Sequence, residues 1–237
     1  MEAWNEDRFN ALLQAPSEQA LFSLTAELAK TMGFEYCAYG IQTPVPISRP
    51  HVAMFNNYSE QWQERYKERG YLLVDPTVQH AFKSTRPLVW TNRLFETAPD
   101  LWDEARGHGL KHGWAQATRD MQGTVGLLTL ARSAEPLSAL ELAENQAAMS
   151  WLTQFVHASM AQKLIPKLVP ETQVRLTVRE RDVLRWTAEG KTAYEISQIL
   201  SISERTINFH INNIVTKLGT TNKTQAAVKA AVLGMLA

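Results

Sequence analysis

The chain has 237 residues, 45% of them hydrophobic and 20% charged, a composition that excludes disordered, collagen-like and low-complexity proteins. At roughly 100–150 residues per domain, two domains fit, each large enough to bury a core. No apolar run approaches the roughly 20 residues that cross a bilayer, and the opening MEAWNEDRFN carries acids where a secretion signal carries bases. The single cysteine, Cys37, makes no intrachain disulfide and suits a reducing compartment, so a cytoplasmic protein without a membrane span is expected.

In chain order, Ser17 to Met32 has the helical spacing Ala20, Leu21, Leu24, Leu28, Met32 with Gly33 as its stop. FEYCAYGIQ and HVAMFNN read as strands, and Ser59 to Arg69 as a helix. Asp75 and Pro76 have the cap and first-turn chemistry that opens another helix. PLVW, WAQATR and GTVGLLTLAR read as further strands, with a short helix near Trp102 between them. A long helix follows, with Ser138 and Glu141 as a capping box and Leu140, Ala147, Trp151, Leu152, Phe155, Val156 and Met160 as its apolar stripe. The expected fold is α+β, with an N-terminal α/β/α sandwich around an antiparallel sheet of about five strands.

Pro166 and Pro170 in KLIPKLVPETQVRL predict a linker over 166–174 between a first domain, 1–165, and a second, 175–237. From Val174 onward there are nine Lys or Arg against five Asp or Glu, a net of +4 in a chain whose formal charge is zero. A small basic module joined to a larger acidic one is what a phosphate-contacting domain on a non-contacting one would show, although scatter of this size is also ordinary. Every signal after the linker is helical. Thr177 with Glu180, Thr192 with Glu195 and Asn222 with Gln225 are cap-like pairs, and Ser203 is a fourth cap. Four helices result, the middle two joined by the tight turn LSIS in the helix-turn-helix layout.

On the third of these helices, Ile207, Ile211, Ile214 and Leu218 share one face, and Arg205, Asn208, Phe209, Asn212 and Thr216 lie opposite. Asn can bond an adenine edge bidentately and Phe can touch a thymine methyl, while Lys191, Thr192, Thr206, His210 and Lys217 flank this face where phosphates would run. A solvated polar face on a core helix would look similar. The run LTVRERDVLRWTAEGKTAYEISQILSISERTINFHINNIVTKLGTTNK resembles the DNA-binding domain of the LuxR/FixJ/NarL superfamily, with Glu180, Leu184, Gly190, Lys191, Thr192, Glu195, Ile196 and Ile207 among its signature positions. The resemblance implies that the helix from Ser203 is the recognition helix, reading bases through Asn208 and Asn212 with Phe209 beside them. It also implies a homodimer on two-fold symmetric double-stranded promoter DNA and contact with RNA polymerase. TQAAVKAAVLGML would supply part of the dimer contact or close the domain's own core.

Upstream, Tyr58, Trp62 and Tyr66 recur every four residues along one helical face, and Asp75 and Trp90 follow. These groups could wall a pocket for a neutral amphiphile: Asp75 accepting an amide N–H, the Trp62 indole and Tyr58 donating to carbonyls, Tyr66 and Trp90 as apolar walls. An aromatic stripe at this spacing is also what a core helix shows, and an Asp before Pro is also a plain N-cap. The spacing Tyr58, Trp62, Tyr66, Asp75, Pro76, Trp90 resembles the autoinducer-binding domain of LuxR-type quorum-sensing regulators. That resemblance implies an N-acyl-homoserine lactone whose lactone carbonyl meets Trp62, whose amide meets Asp75 and whose acyl carbonyl meets Tyr58 and Thr129. By the same resemblance, Gly40, Thr77, Leu101, Ala105, Leu110 and Leu128 would line the pocket or pack near the ring. A buried Asp75 left without an amide to accept would cost about 1–3 kcal/mol.

His108 and His112 are four apart, but the glycines around them break a helix, so no metal site and no cofactor are expected. No nucleophile elbow, Walker loop or dinucleotide fingerprint is present, so a regulator rather than an enzyme is expected. The alternative is an orphan or anti-activator form of the same family that acts by heterodimer formation or with a non-lactone ligand.

Overall fold

The structure, a computed structural model, describes residues 11–236. The reading of the first ten residues as lacking a secretion signal lies outside them. The chain divides into two compact units. One combines the segment ending at Gln42 with Val52–Asp120 and Thr124–Leu164; the other combines Thr43–His51, Met121–Gly123 and the chain from Ile165 onward.

In the first unit, Ser17 caps helix α1 (Glu18–Thr31) by accepting from Ala20 N, and Gly33 at φ 83° turns the chain into the sheet. Strands β1 (Tyr36–Gln42), β2 (Val52–Asn56), β3 (Leu88–Val89), β4 (His112–Arg119) and β5 (Val125–Arg132) form a five-stranded sheet ordered β2-β1-β5-β4-β3. Every pairing is antiparallel. Helices α2 (Glu60–Glu68), α3 (Pro76–Ala81) and α4 (Pro99–Gly107) come between β2 and β4, and α5 (Ala139–Leu168) follows β5.

Strand alternation sorts the two sheet faces. On one, Tyr39 OH lies 2.9 Å from His157 Nδ1, Ser150 donates to Gln116 (2.8 Å) and Thr118 donates to Gln154 (2.7 Å), so this face packs on α5. Phe22 of α1 meets Phe55 of β2 on the same side, at 6.1 Å between rings. The register places Ala38, Thr129 and Ala115 side by side on the opposite face, with Gly40 opposite Leu127 and Gly113 opposite Ala131. That face carries small side chains and meets α2, α3 and α4. Ala81 of α3 packs with Ala117 and Val125, and the aromatic residues of α2 and α4 pack with Ala131 and Tyr36. The expected α/β/α sandwich is the fold found.

Three local expectations are corrected. The buried face of α5 is Ala148, Met149, Leu152, Thr153, Val156, His157 and Met160; Leu140 and Trp151 are 69% and 58% exposed and Ala147 is exposed. A helix this long carries apolar residues over more than one stripe, and the sheet took the stripe that includes polar Thr153 and His157. The capping box is half made: Ser138 accepts from Glu141 N (3.1 Å), but the Glu141 carboxylate is held by Arg132 at 2.6 and 2.8 Å. Pro166 does not break the chain, for α5 runs on to Leu168 and a short 3-10 turn, Pro170–Gln173, follows. So near the helix end the proline costs one hydrogen bond and has little helix left to kink.

The second unit holds α6 (Val178–Ala188), α7 (Ala193–Leu200), α8 (Glu204–Lys217) and α9 (Lys223–Val232). Thr177–Glu180 and Thr192–Glu195 form complete capping boxes, and Ser203 and Asn222 cap α8 and α9. Ser201, at φ 53°, makes the left-handed turn between α7 and α8. Val183, Leu184, Ile196, Ile207, Ile214, Leu218 and Ala226 form the core.

Candidate functional site: an aromatic pocket and a nucleic-acid interface

The aromatic cluster begins at the exit of β2. The Asn57 side chain accepts from Cys37 N (2.7 Å) and donates to Glu35 O (3.0 Å), which pins the turn that delivers Tyr58. Ser59 then caps α2 through Trp62 N at 3.3 Å. Trp62 is only 2% exposed and sits among Tyr66 (5.8 Å), Tyr71 (6.0 Å) and His108 (5.3 Å, rings 34° apart). Tyr58, Trp62, Tyr66, Trp90 and Leu110, spread over 53 positions of sequence, meet in one cluster with Phe95, Leu101, Trp102 and Ala105. Gly40 and Thr129 lie on the small-residue sheet face that this cluster covers, and nothing stands within 4 Å of where a Gly40 side chain would begin. Leu128 belongs elsewhere: one residue from Thr129, it points to the α5 face, paired with Tyr39 and Gln116 and 0% exposed.

Asp75 caps α3, and its carboxylate is the polar centre of the site. Oδ1 accepts from Thr77 N (2.8 Å) and Thr77 Oγ1 (2.7 Å), and Oδ2 accepts from Tyr66 OH (2.9 Å). Two expectations change here. Asp75 does not depend on an outside amide for a partner, because Thr77 and Tyr66 already supply three donors. Tyr66 is a hydrogen-bonding residue as well as a wall. Burial pushes the Asp75 carboxyl above its ordinary range, with the Thr77 and Tyr66 hydrogen bonds working in the opposite direction. Burial also raises the Tyr58 and Tyr66 hydroxyls, so both remain neutral donors. A carboxylate acceptor bonded to the Tyr66 phenol, in a chain of contacts that leads through Tyr66 to the Trp62 indole, has the groups to orient a neutral molecule that carries both an amide and carbonyls.

The geometry around Trp90 is set by strand register and ring packing, which sequence spacing alone does not specify. Its indole stands nearly perpendicular, at 85°, to Phe95 and to Trp102, which stack on each other at 4.4 Å. Trp102 Nε1 donates to Asn92 (2.9 Å), whereas Trp90 Nε1 is buried with no partner among the described residues. The ring lies against Gly113, where a Cβ would come within 2.4 Å of it. A glycine inside a strand is the signal that could have pointed to such a close approach. His108 ends α4 as its cap and His112 opens β4, so the two histidines do not share a helix.

In the second unit, Ile207, Ile214 and Leu218 of α8 are 0–1% exposed, while Arg205, Asn208, Phe209, Asn212 and Thr216 are all exposed. Phe209 is 61% exposed, an unusual position for a large apolar ring on a helix that has a core to join, and it packs edge-on against His210 at 5.8 Å. Of the flanking residues, Lys191 lies 3.6 Å from Glu195, the Thr192 hydroxyl donates to Glu195 (2.8 Å) and Thr206 is hydrogen-bonded to Ser203 (2.8 Å). Lys217 has a structural bond: its Nζ reaches Glu180 Oε2 at 2.7 Å, across from α8 to α6.

Known proteins share both parts. Residues 17–160 match the family described as autoinducer binding domain, and residues 174–230 match bacterial regulatory proteins of the luxR family. The chain is 48% identical over 238 residues to the transcriptional activator protein AnoR of Acinetobacter nosocomialis, covering 100% of both. It is 48% identical over 231 residues to the activator SolR of Ralstonia nicotianae, covering 98% of each. Crystal coordinates of Escherichia coli SdiA superpose with a TM-score of 0.89 at 32% identity, over 99% of this chain and 98% of that one. SdiA has also been solved in complex with octanoyl-rac-glycerol (TM-score 0.86, 33% identity, 99% and 96% covered). With a match along its whole length, this chain belongs to the LuxR family of quorum-sensing transcriptional regulators, built from an autoinducer-binding domain and a helix-turn-helix DNA-binding domain.

Proposed function

We propose that the chain is a cytoplasmic homodimer that binds an N-acyl-homoserine lactone among Tyr58, Trp62, Tyr66, Asp75, Thr77, Trp90, Leu110, Thr129 and Gly40. In this reading the protein then contacts two-fold symmetric promoter DNA through α8 and engages RNA polymerase. The observation that carries the ligand is the Asp75 carboxylate, held by Thr77 and by Tyr66, which itself packs in the cluster of Trp62 and Trp90. Asp75 takes the amide N–H, Trp62 the lactone carbonyl, and Tyr58 with Thr129 the acyl carbonyl, while the acyl chain lies on the small residues of the sheet. The homodimer is supported by the outer face of α5, where exposed Trp151 stacks on Phe155 at 5.8 Å in line with exposed Leu140. On the DNA, Asn208, Phe209, Asn212 and Arg205 face the bases, and Lys191, Thr192, Thr206 and Lys217 flank them.

A second ligand reading, an acylglycerol, follows from the octanoyl-rac-glycerol in the similar SdiA. Both are tested by the melting temperature of ligand-free protein against homoserine lactones of graded chain length and against octanoyl glycerol. A ligand at a hundredfold excess over Kd adds about 2.7 kcal/mol, which raises Tm by about 5–10 °C. A rise only with lactones supports the lactone reading, a rise only with the glycerol ester replaces it, and no rise overturns both. Asp75→Asn is expected to lose most of the shift while DNA binding by the second unit persists.

A further inference from the structure

Helices α2 and α4 each turn one face into the aromatic cluster that is read as the ligand site, α2 with Trp62 and Tyr66 and α4 with Leu101, Trp102 and Ala105. Neither belongs to the sheet, so no backbone ladder fixes their separation. Their outer edges are joined by charge. Arg65 Nε and Nη2 donate to the two carboxylate oxygens of Glu104, each at 2.7 Å, in the bidentate geometry that makes arginine–carboxylate pairs the strong ones. One helical turn further on, Arg69 Nη2 meets Asp100 Oδ2 at 3.4 Å. Residues 65 and 69 ascend where 104 and 100 descend, so the helices run antiparallel with two rungs across one seam. The pairs differ in shielding: the side chains of Arg65 and Glu104 are 42% and 27% exposed, those of Arg69 and Asp100 44% and 75%. The inner rung is the stronger, since an exposed single contact in water contributes little.

We propose that Arg65 and Glu104 form a clasp across α2 and α4 that sets how fast ligand leaves the aromatic pocket. The inference rests on the pocket being the ligand site. Trp62 is 2% exposed and Leu101 3%, so a ligand held between them would be enclosed; the proposed way out is separation of the two helices, for which the clasp must open. Arg65 and Glu104 are positioning residues here: they touch no ligand atom, and they act through the aromatic walls they hold together.

The test compares wild type, Glu104→Gln and the charge-swapped double variant Arg65→Glu/Glu104→Arg. Dissociation of N-octanoyl-L-homoserine lactone is followed by chase, and deuterium uptake is measured over residues 60–68 and 99–107. Glu104→Gln keeps the shape and removes the charge. It is expected to speed dissociation by about threefold to tenfold and to raise deuterium uptake of both helices. The swapped variant is expected to return the rate to within about twofold of wild type, which loss of packing alone would not allow. Raising the ionic strength from about 0.05 to about 0.5 M should speed release from wild type more than from Glu104→Gln, because screening acts on the charged pair.

An unchanged rate in Glu104→Gln, or a swapped variant as fast as the single one, overturns the proposal. A wild type that binds no lactone and no octanoyl glycerol overturns the pocket reading instead. The bond between the helices is then judged by deuterium uptake alone, where equal uptake in wild type and Glu104→Gln overturns the clasp as well.

Discussion

Gly113 of β4 lies directly against the indole of Trp90: a side chain begun at its Cα would stand 2.4 Å from Cδ2 and 2.6 Å from Cε2 and Cε3. The ring has nowhere to retreat, since Phe95 and Trp102 stand at 85° to it with centroids 5.7 and 6.1 Å away. Trp90 N also donates to Gly113 O at 2.8 Å, so backbone and side chain are fixed at the same spot.

Gly113→Ala is therefore expected to destabilise the first unit by about 1–3 kcal/mol through overpacking and to weaken ligand binding more than a remote substitution of equal cost. Thermal melting with and without ligand checks both. A variant that melts and responds like wild type would show that the indole is free to shift, and would remove Trp90 from the fixed part of the site.

This contact is of a kind that a sequence does not carry, whereas local features are legible in it. Caps were legible because they are local: Asp75, Thr177, Thr192, Ser203 and Asn222 all cap the helices they were expected to open, and Ser17 and Ser59, the first residues of two expected helices, are the caps of those helices. That Tyr58, Trp62, Tyr66 and Trp90 come together was legible from a spacing shared with a known family. Gly113 against Trp90 depends on which strand residues lie opposite one another, and the sequence does not state register. The same parity moved Leu128 to the α5 side while its neighbour Thr129 stayed on the pocket side. Two misplacements on α5 share a cause. Leu140 and Trp151 are apolar, yet the sheet chose the stripe that lets His157 reach Tyr39, a long-range polar match no helical wheel displays.

That match makes stability pH-dependent. His157 is 3% exposed, its Nδ1 is 2.9 Å from Tyr39 OH, and burial lowers its pKa below the ordinary histidine value. Protonation is then easier in the unfolded chain, which binds more protons as pH falls below about 6.5. Stability from this residue is full above that pH and declines below it, by at most about 1.4 kcal/mol per pH unit. Melting curves from about pH 7.5 to about 5.5 should fall more steeply for wild type than for His157→Gln. Parallel slopes would mean that the histidine titrates alike in both states.

Glu180 and Lys217 decide between two roles for one lysine. The Glu180 residue is 3% exposed, and its Oε2 accepts from Thr177 N (2.8 Å) and from Lys217 Nζ (2.7 Å). Burial works against the charge, yet the Lys217 and Thr177 partners outweigh it and hold the carboxyl below its ordinary range. Lys217→Met strands that carboxylate and is expected to cost about 1–3 kcal/mol. The pair Glu180→Gln/Lys217→Met should recover much of the loss, because no buried charge is left alone. If Lys217 instead serves a phosphate, its removal lowers the slope of log K against log salt by about 0.9 with stability unchanged. Melting and a salt titration of DNA binding together separate the two.

Asn208 and Asn212 are four residues apart, both exposed, with Phe209 open to solvent beside them on the face of α8 away from the core. An asparagine that bonds the N6 and N7 edge of adenine loses both bonds on truncation, whereas one that touches a phosphate loses no base preference. Asn208→Ala is thus expected to cost about 1–3 kcal/mol on the preferred site and almost nothing on competitor DNA, with adenine no longer favoured at one position of each half-site. Selection of bound sequences from a randomised pool, run for wild type and variant at one salt concentration, reads this directly. Equal weakening on every sequence would assign Asn208 to positioning the helix, and the base reading would then rest on Asn212 and Phe209.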